Sequence, residues 1–251
     1  MKVTQLQGRG IIVPKIKNPD MEGHRPAGYE FFPLFCPSVL ILAKKQSGKT
    51  TTLWNILMRR LTRKHKLIVF CSTIHKDPTW NDVIFPWLDK HKISYVAETN
   101  FVGKDANGLK YNLLKDLMTI IETKPEQPLI LVIDDLSPDL KNDGLLALLK
   151  QSKHLNMSVF ILTQYLNDLA PSGLSQLDNV LVFPRQGSKK IQELHSKLEL
   201  AVSLQKFREM YHYATNEQHS FLYIQRDPES YRKNFDKLIE LESEDMDDET
   251  E

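Results

Sequence analysis

The chain has 251 residues, 41% hydrophobic and 26% charged, with a formal net charge of +1. This composition excludes a fibrous or wholly disordered chain, and the length suits one large α/β domain or two small ones. No apolar run reaches the roughly 18 residues that a membrane-spanning helix needs, and Met1-Lys2-Val3-Thr4-Gln5 lacks the apolar core of a signal peptide.

The near-neutral total conceals an asymmetry. Residues 240–251 carry eight acids and no base, so the remaining 33 basic residues face only 24 acids. A basic body suits a polyanionic partner, and the acidic segment reads as a disordered, solvated tail. Cys36 and Cys71 sit in or beside apolar runs without metal spacing. They are expected to be free, buried thiols in a reducing compartment.

Residues 1–38 contain Pro14, Pro19, Pro26, Pro33 and Pro37, which argues against a long helix and for an irregular lead-in with room for a short edge hairpin. From Val39 onward, apolar runs alternate with helical patterns. The runs fall at 39–42, 67–71, 129–133, 159–162, 180–183 and 221–224, with a weaker one at 93–96. Most are continuous rather than alternating, as in strands covered on both faces of a parallel sheet. Between them, Leu53, Ile56, Leu57 and Leu61 share one helical face. Residues 113–123 and 145–152 read as further helices, the latter starting near an Asp143 cap. Residues 188–214 read as helical. There is no repeat and no interdomain linker. The pattern predicts a doubly wound α/β domain over 39–239.

The chemistry is concentrated at three strand ends. The first run leads into Ala43-Lys44-Lys45-Gln46-Ser47-Gly48-Lys49-Thr50 and then into a helix, which is the Walker A arrangement. Backbone N–H groups of such a loop converge on an anion. Lys45, Gln46, Ser47, Gly48, Lys49, Thr50 and Thr51 are therefore the nucleotide-binding candidates. Lys49 would reach the β- and γ-phosphates, and the Thr50 hydroxyl would ligate Mg²⁺. Ala43 replaces the first glycine of the consensus, a position where glycine tolerates positive φ and close approach.

The second strand end is Leu129-Ile130-Leu131-Val132-Ile133-Asp134-Asp135. A carboxylate at the end of a buried strand is costly without a compensating cation. Asp134 is accordingly the metal candidate, and Asp135 stands where a carboxylate polarises attacking water. The third, Met157 to Gln164, ends in Thr163-Gln164, and Gln164 is placed to sense a γ-phosphate or its water. A further run lies between the first two in sequence, which suits P-loop domains whose sheet interposes a strand between Walker A and Walker B. Ring-forming motors of that class complete their site with an arginine from the neighbouring subunit. Arg185 is the candidate here, followed by Arg226. Bases beside aromatics at 111–123 and 189–213, including Lys206, Phe207 and Arg208, form a candidate DNA-tracking surface.

The order SGKTTTLWNIL, IVFCSTIHKDPTWNDV, LILVIDDL and KQSKHLNMSVFILTQ resembles the poxvirus-type genome-packaging ATPases of the FtsK/HerA superfamily. The resemblance covers about residues 38–183. It implies an ASCE/RecA-like P-loop NTPase with a mainly parallel sheet flanked by helices. It further implies ATP and Mg²⁺ as ligands, double-stranded DNA as the load, a homo-oligomeric ring, and capsid or portal-vertex proteins as partners. The place of action would be the cytoplasmic virus factory of the host cell and the virion, without secretion. On this resemblance Lys49 and Thr50 bind phosphate and Mg²⁺, Asp134 and Asp135 form Walker B and Gln164 is the sensor; Arg185 joins the catalytic candidates from its place at a strand end, since no family motif fixes the arginine. Two other readings remain open at this level: a nucleotide-controlled assembly protein with weak or no turnover, and a P-loop small-molecule kinase.

Overall fold

The computed structural model describes residues 25–104, 107–123 and 127–240. Most of the expected lead-in, and the acidic segment beyond Glu240, lie outside these residues.

The apolar runs become strands β1 (Ser38–Leu42), β2 (Lys66–Cys71), β3 (Ser94–Glu98), β6 (Leu129–Asp134), β7 (Met157–Thr163), β8 (Asn179–Val182) and β9 (Leu222–Arg226). Four more strands were not legible as apolar runs. They are β4 (Val102–Lys104) and β5 (Lys110–Asn112), which pair only with each other, and β10 (Glu229–Lys233) and β11 (Lys237–Ile239). The nine-stranded sheet has the order β11-β10-β9-β8-β1-β7-β6-β2-β3. It is parallel from β3 to β8 and antiparallel from β8 to β11.

Alternation along the buried strands supplies two cores. In β1, Leu40 and Leu42 face one cluster while Val39 and Ile41 face the other. The helices divide accordingly. On one face lie α1 (Lys49–Arg60) and α2 (Phe85–His91), the latter preceded by a π-helical turn at Thr79–Ile84 that buries Trp80. The other face is covered by α3 (Leu113–Thr123), α4 (Asp143–Gln151), α5 (Pro171–Leu174), α6 (Ser188–Leu198) and α7 (Leu204–Ala214). None of the helices among the described residues is long and apolar enough to cross a membrane. Both cysteines are free and buried, and burial raises the Cys71 thiol to about 11.

Several local expectations are corrected. The cap of α4 is Asn142, whose side chain accepts from Gly144 N, so Asp143 is the first helical residue. The helical segment expected over 188–214 is divided into two helices. Glu199 turns left-handed at the end of α6, and Ser203 caps α7 through Lys206 N. Phe207 is wholly buried, so it belongs to the core and not to a DNA-tracking surface. Residues 25–37 contain no strand, and the rest of the segment given room for an edge hairpin lies outside the described residues; β10 and β11 form a hairpin at one edge of the sheet. The lead-in is pinned by the buried Arg60, whose guanidinium donates to the carbonyls of Phe32, Leu34 and Phe35 at 2.9–3.2 Å.

Candidate active site

The loop between β1 and α1 ends at Gly48, which caps the helix at φ 95°, a backbone region that L side chains rarely adopt. The helix has no side-chain cap and no acid in its first turn. Its N-terminal N–H groups are thus offered to an external anion. Ala43 is fully buried, donates its N–H to Thr163 O at 3.0 Å, and is not among the residues of positive φ. The alanine therefore continues the β1 ladder by one residue, and glycine's conformational freedom is not needed there.

Because β7 lies between β1 and β6, the Walker A and Walker B strands are not hydrogen-bonded to each other. The gap is crossed by the Lys49 side chain. Its Nζ donates to Asp135 Oδ1 and lies 3.2 Å from Asp134 Oδ1. Asp134 is 2% exposed, and its Oδ1 has no hydrogen-bond partner, so the Lys49 contact is an ion pair without hydrogen-bond geometry. Burial would lower the Lys49 ammonium, but the two carboxylates outweigh it and hold the group above its ordinary range. Burial pushes the Asp134 carboxyl up to about 6, against the pull of Lys49 and with a further push from Asp135.

That elevation has a measurable sign. Between the ordinary value of 3.8 and about 6, the folded protein binds a proton at Asp134 that the unfolded chain has already released. Stability of the nucleotide-free protein is therefore expected to fall as pH rises through this window. Denaturant titrations from pH 4 to 7 should show this decline in the wild type and a flatter profile in Asp134→Asn. Parallel profiles would refute it.

Gln164 follows β7 directly. Its side chain is half-buried and makes no hydrogen bond among the described residues. It therefore keeps both its donor and acceptor groups between the two carboxylate-bearing and phosphate-binding strand ends. The strand end beneath it is fixed by Asp168, a residue that sequence reading missed. Asp168 Oδ2 accepts from Thr163 Oγ1 and, at 2.6 Å, from Ser137 Oγ in the segment after β6. The only sequence signal was an acid five residues beyond the strand, which is too common to single out.

Arg185 reaches its own phosphate loop. Nη2 donates to Lys45 O at 3.3 Å and Ser47 Oγ at 3.2 Å. The guanidinium is thus held in cis, in contrast to the expectation that it projects into a neighbouring subunit. Arg226 is a structural arginine, donating to the carbonyls of Leu174, Ser175, Leu177 and Leu198. Thr50 lies half-buried in the first turn of α1, followed by the exposed Thr51, while Lys45 and Gln46 are exposed on the loop and Ser47 is buried.

A feature without a sequence signature marks the same place. Gln46, Asp135, Arg185 and His219 all have positive φ, at 59°, 53°, 69° and 67°. Left-handed backbone at non-glycine residues costs energy and tends to persist where a site requires it. These four residues come from four separate loops of one rim of the sheet.

Fold and rim together define a P-loop NTPase of the kind whose sheet interposes one strand between Walker A and Walker B. Residues 37–228 match the family model described as Poxvirus A32 protein, and the chain belongs to that family. No curated protein matches the sequence significantly. Among solved structures, the chain is similar to the genome packaging NTPase B204 from Sulfolobus turreted icosahedral virus 2 bound to AMPPCP. The TM-score is 0.57 at 15% identity, over 79% of this chain and 97% of that one. The AMP complex of the same protein gives 0.53 at 17% identity, over 82% and 96%. B204, the DNA-packaging ATPase from Sulfolobus turreted icosahedral virus, gives 0.56 at 14% identity, over 79% and 97%. At such identities the likeness is one of fold.

Proposed function

We propose that this protein is an ATP hydrolase that drives double-stranded DNA into a preformed viral capsid, working as a homo-oligomeric ring against a capsid or portal-vertex protein. The observation that carries the hydrolase is the Lys49–Asp134–Asp135 cluster at the C-terminal ends of the central strands. Family membership and the likeness to B204 support packaging as the task.

The residues divide the work by position. The 44–48 loop and the open N-terminus of α1 receive the phosphates. Lys49 leaves the carboxylates and follows the β- and γ-phosphates, which are the stronger anions. Asp135 is then freed to accept a proton from attacking water, and Gln164 orients that water or the γ-phosphate. Arg185 steadies the loop through Ser47 and Lys45. The buried, unbonded Oδ1 of Asp134 suits a divalent cation once Lys49 has moved, and the Thr50 hydroxyl would be its partner ligand. Mg²⁺ bound there would screen the phosphate charge. A neighbouring subunit's arginine remains part of the proposal, without a residue assigned to it.

The test is ATP turnover by the purified chain with and without duplex DNA. Hydrolysis stimulated severalfold by duplex DNA is expected. ATP binding without hydrolysis, even with DNA and capsids present, would leave nucleotide-controlled assembly as the better reading. Phosphate transfer to a nucleoside or nucleotide acceptor would favour a kinase.

A further inference from the structure

The charge asymmetry of the sequence has a counterpart in space. At the end of the sheet opposite the phosphate loop, two turns bring bases together. The 61–66 turn leads into β2 with Arg63, Lys64 and Lys66, and the end of α2 leads into the edge strand β3 with Lys90 and Lys92. The turns touch: Arg63 Nε donates to His91 O at 3.4 Å, and Lys66 stands opposite Ser94 in the β2–β3 ladder. All five bases are exposed except the half-buried Lys66, and none makes an ion pair among the described residues. Asp89, the acid in the last turn of α2, lies against Tyr95 instead. Burial first, and then that carboxylate, hold the Tyr95 phenol above its ordinary range.

The carbonyl end of α2 accounts for Lys90 and for Arg63, which caps it. It does not account for Lys64, Lys66 and Lys92. Lys92 ends the helix at φ 55°, a left-handed position that glycine usually takes, so the charge is kept there at a backbone cost. Like charges held side by side repel one another, and an anion that settles on them relieves the repulsion.

The chain carries such an anion itself. Residues 241–251 hold seven acids and no base. They follow β11, which runs antiparallel to β10 and ends at the same end of the sheet as the bases, but at the other edge. From β11 to β2 and β3 is seven and eight strand spacings, about 34–38 Å. Eleven residues span at most about 36–40 Å when fully extended. A segment stretched that far would bring only its last acid to the bases of its own chain. A second copy imposes no such gap, because its β3 edge can lie beside this chain's β11. We propose, building on the homo-oligomeric reading above, that the acidic segment 241–251 of one copy docks on the Lys64–Lys92 patch of the next. The contact joins opposite sheet edges, so it is heterologous and repeats from copy to copy. It is made between exposed charges, so salt weakens it.

The experiment is sedimentation velocity of the purified chain over a concentration series, with two variants that divide the contact. A chain ending at Glu240 keeps the patch and lacks the acids. The double variant Lys64→Glu, Lys92→Glu keeps the acids and reverses the patch. Each should weaken self-association at low salt by about tenfold, the combined scale of a few exposed ion pairs. The wild type should fall toward the same level in about 0.5 M salt. Mixed in equal amounts, the two variants should form a dimer of one copy each that grows no further, because one supplies acids and the other bases. Lys64 and Lys92 are exposed, so the double variant should fold, and cooperative thermal unfolding checks this. Association that survives either change, or a mixture that forms no dimer, overturns the docking. Tighter association without the segment also overturns it and places the acids on their own chain. Loss of duplex-DNA binding in the double variant, with association intact, assigns the patch to nucleic acid instead. All of these outcomes spare a ring built on other contacts. A wild type that stays monomeric at every concentration, with nucleotide and DNA present, removes the ring as well.

Discussion

Lys49→Ala is expected to lose ATP turnover by at least about a hundredfold, the scale of removing one group that stabilises charge in a transition state. It should also change the resting protein. Lys49 is the cation facing Asp134, which is 2% exposed, and it donates to Asp135 as well. Removing it leaves a buried carboxylate uncompensated, a defect that typically costs about 3–5 kcal/mol when a buried pair is broken from one side. The carboxyl should respond by holding its proton to higher pH. The double variant Lys49→Ala, Asp134→Asn should then recover most of the lost stability but none of the activity. Urea unfolding of the three proteins at pH 7.5 checks this. A single variant as stable as the wild type would mean that the ion pair in the nucleotide-free site contributes nothing.

Asp135→Asn should separate binding from chemistry. The amide keeps the size of the side chain but cannot take a proton from water. Turnover should fall by about 10²–10⁴, the usual contribution of a positioned base, while ATP affinity stays within a few-fold. Asp135 is not the buried member of the pair, since its side chain is 31% exposed against 3% for Asp134. Its loss should therefore cost less stability than loss of Lys49. Steady-state hydrolysis alongside equilibrium nucleotide binding would decide the matter. Equal loss of both would assign Asp135 to binding, and unchanged turnover would remove it from the mechanism.

The central strands were legible because burial on both faces demands continuous apolar runs, and Leu129–Asp134 or Met157–Thr163 tolerates little else. The antiparallel strands β10 and β11 at the other edge from β3 were not. In Glu229–Lys233 only alternate residues are buried, and one of those is Lys233, so no hydrophobic run announces the strand. The Walker residues could be found because phosphate chemistry fixes their spacing along the chain. The approach of His219 to Gly48, the bond of Asp168 to Ser137 and the cis placement of Arg185 could not, because they join residues 171, 31 and 138 apart in sequence. Only the folded sheet brings those loops to one rim. Ala43 shows the converse: the consensus singles it out as a departure, whereas the backbone gives it an ordinary strand position.

The placement of β7 has a mechanical consequence. It is laddered to β1 through five residue pairs and to β6 through six. Sliding the phosphate loop against the Walker B carboxylates would require tearing both ladders, which are the most cooperative part of such a domain. The sheet is thus a stiff anvil. Compliance is left to the turns along its rim at 44–48, 135–137, 164–168 and 215–220, and if the chain works as the proposed motor, its stroke would leave through them.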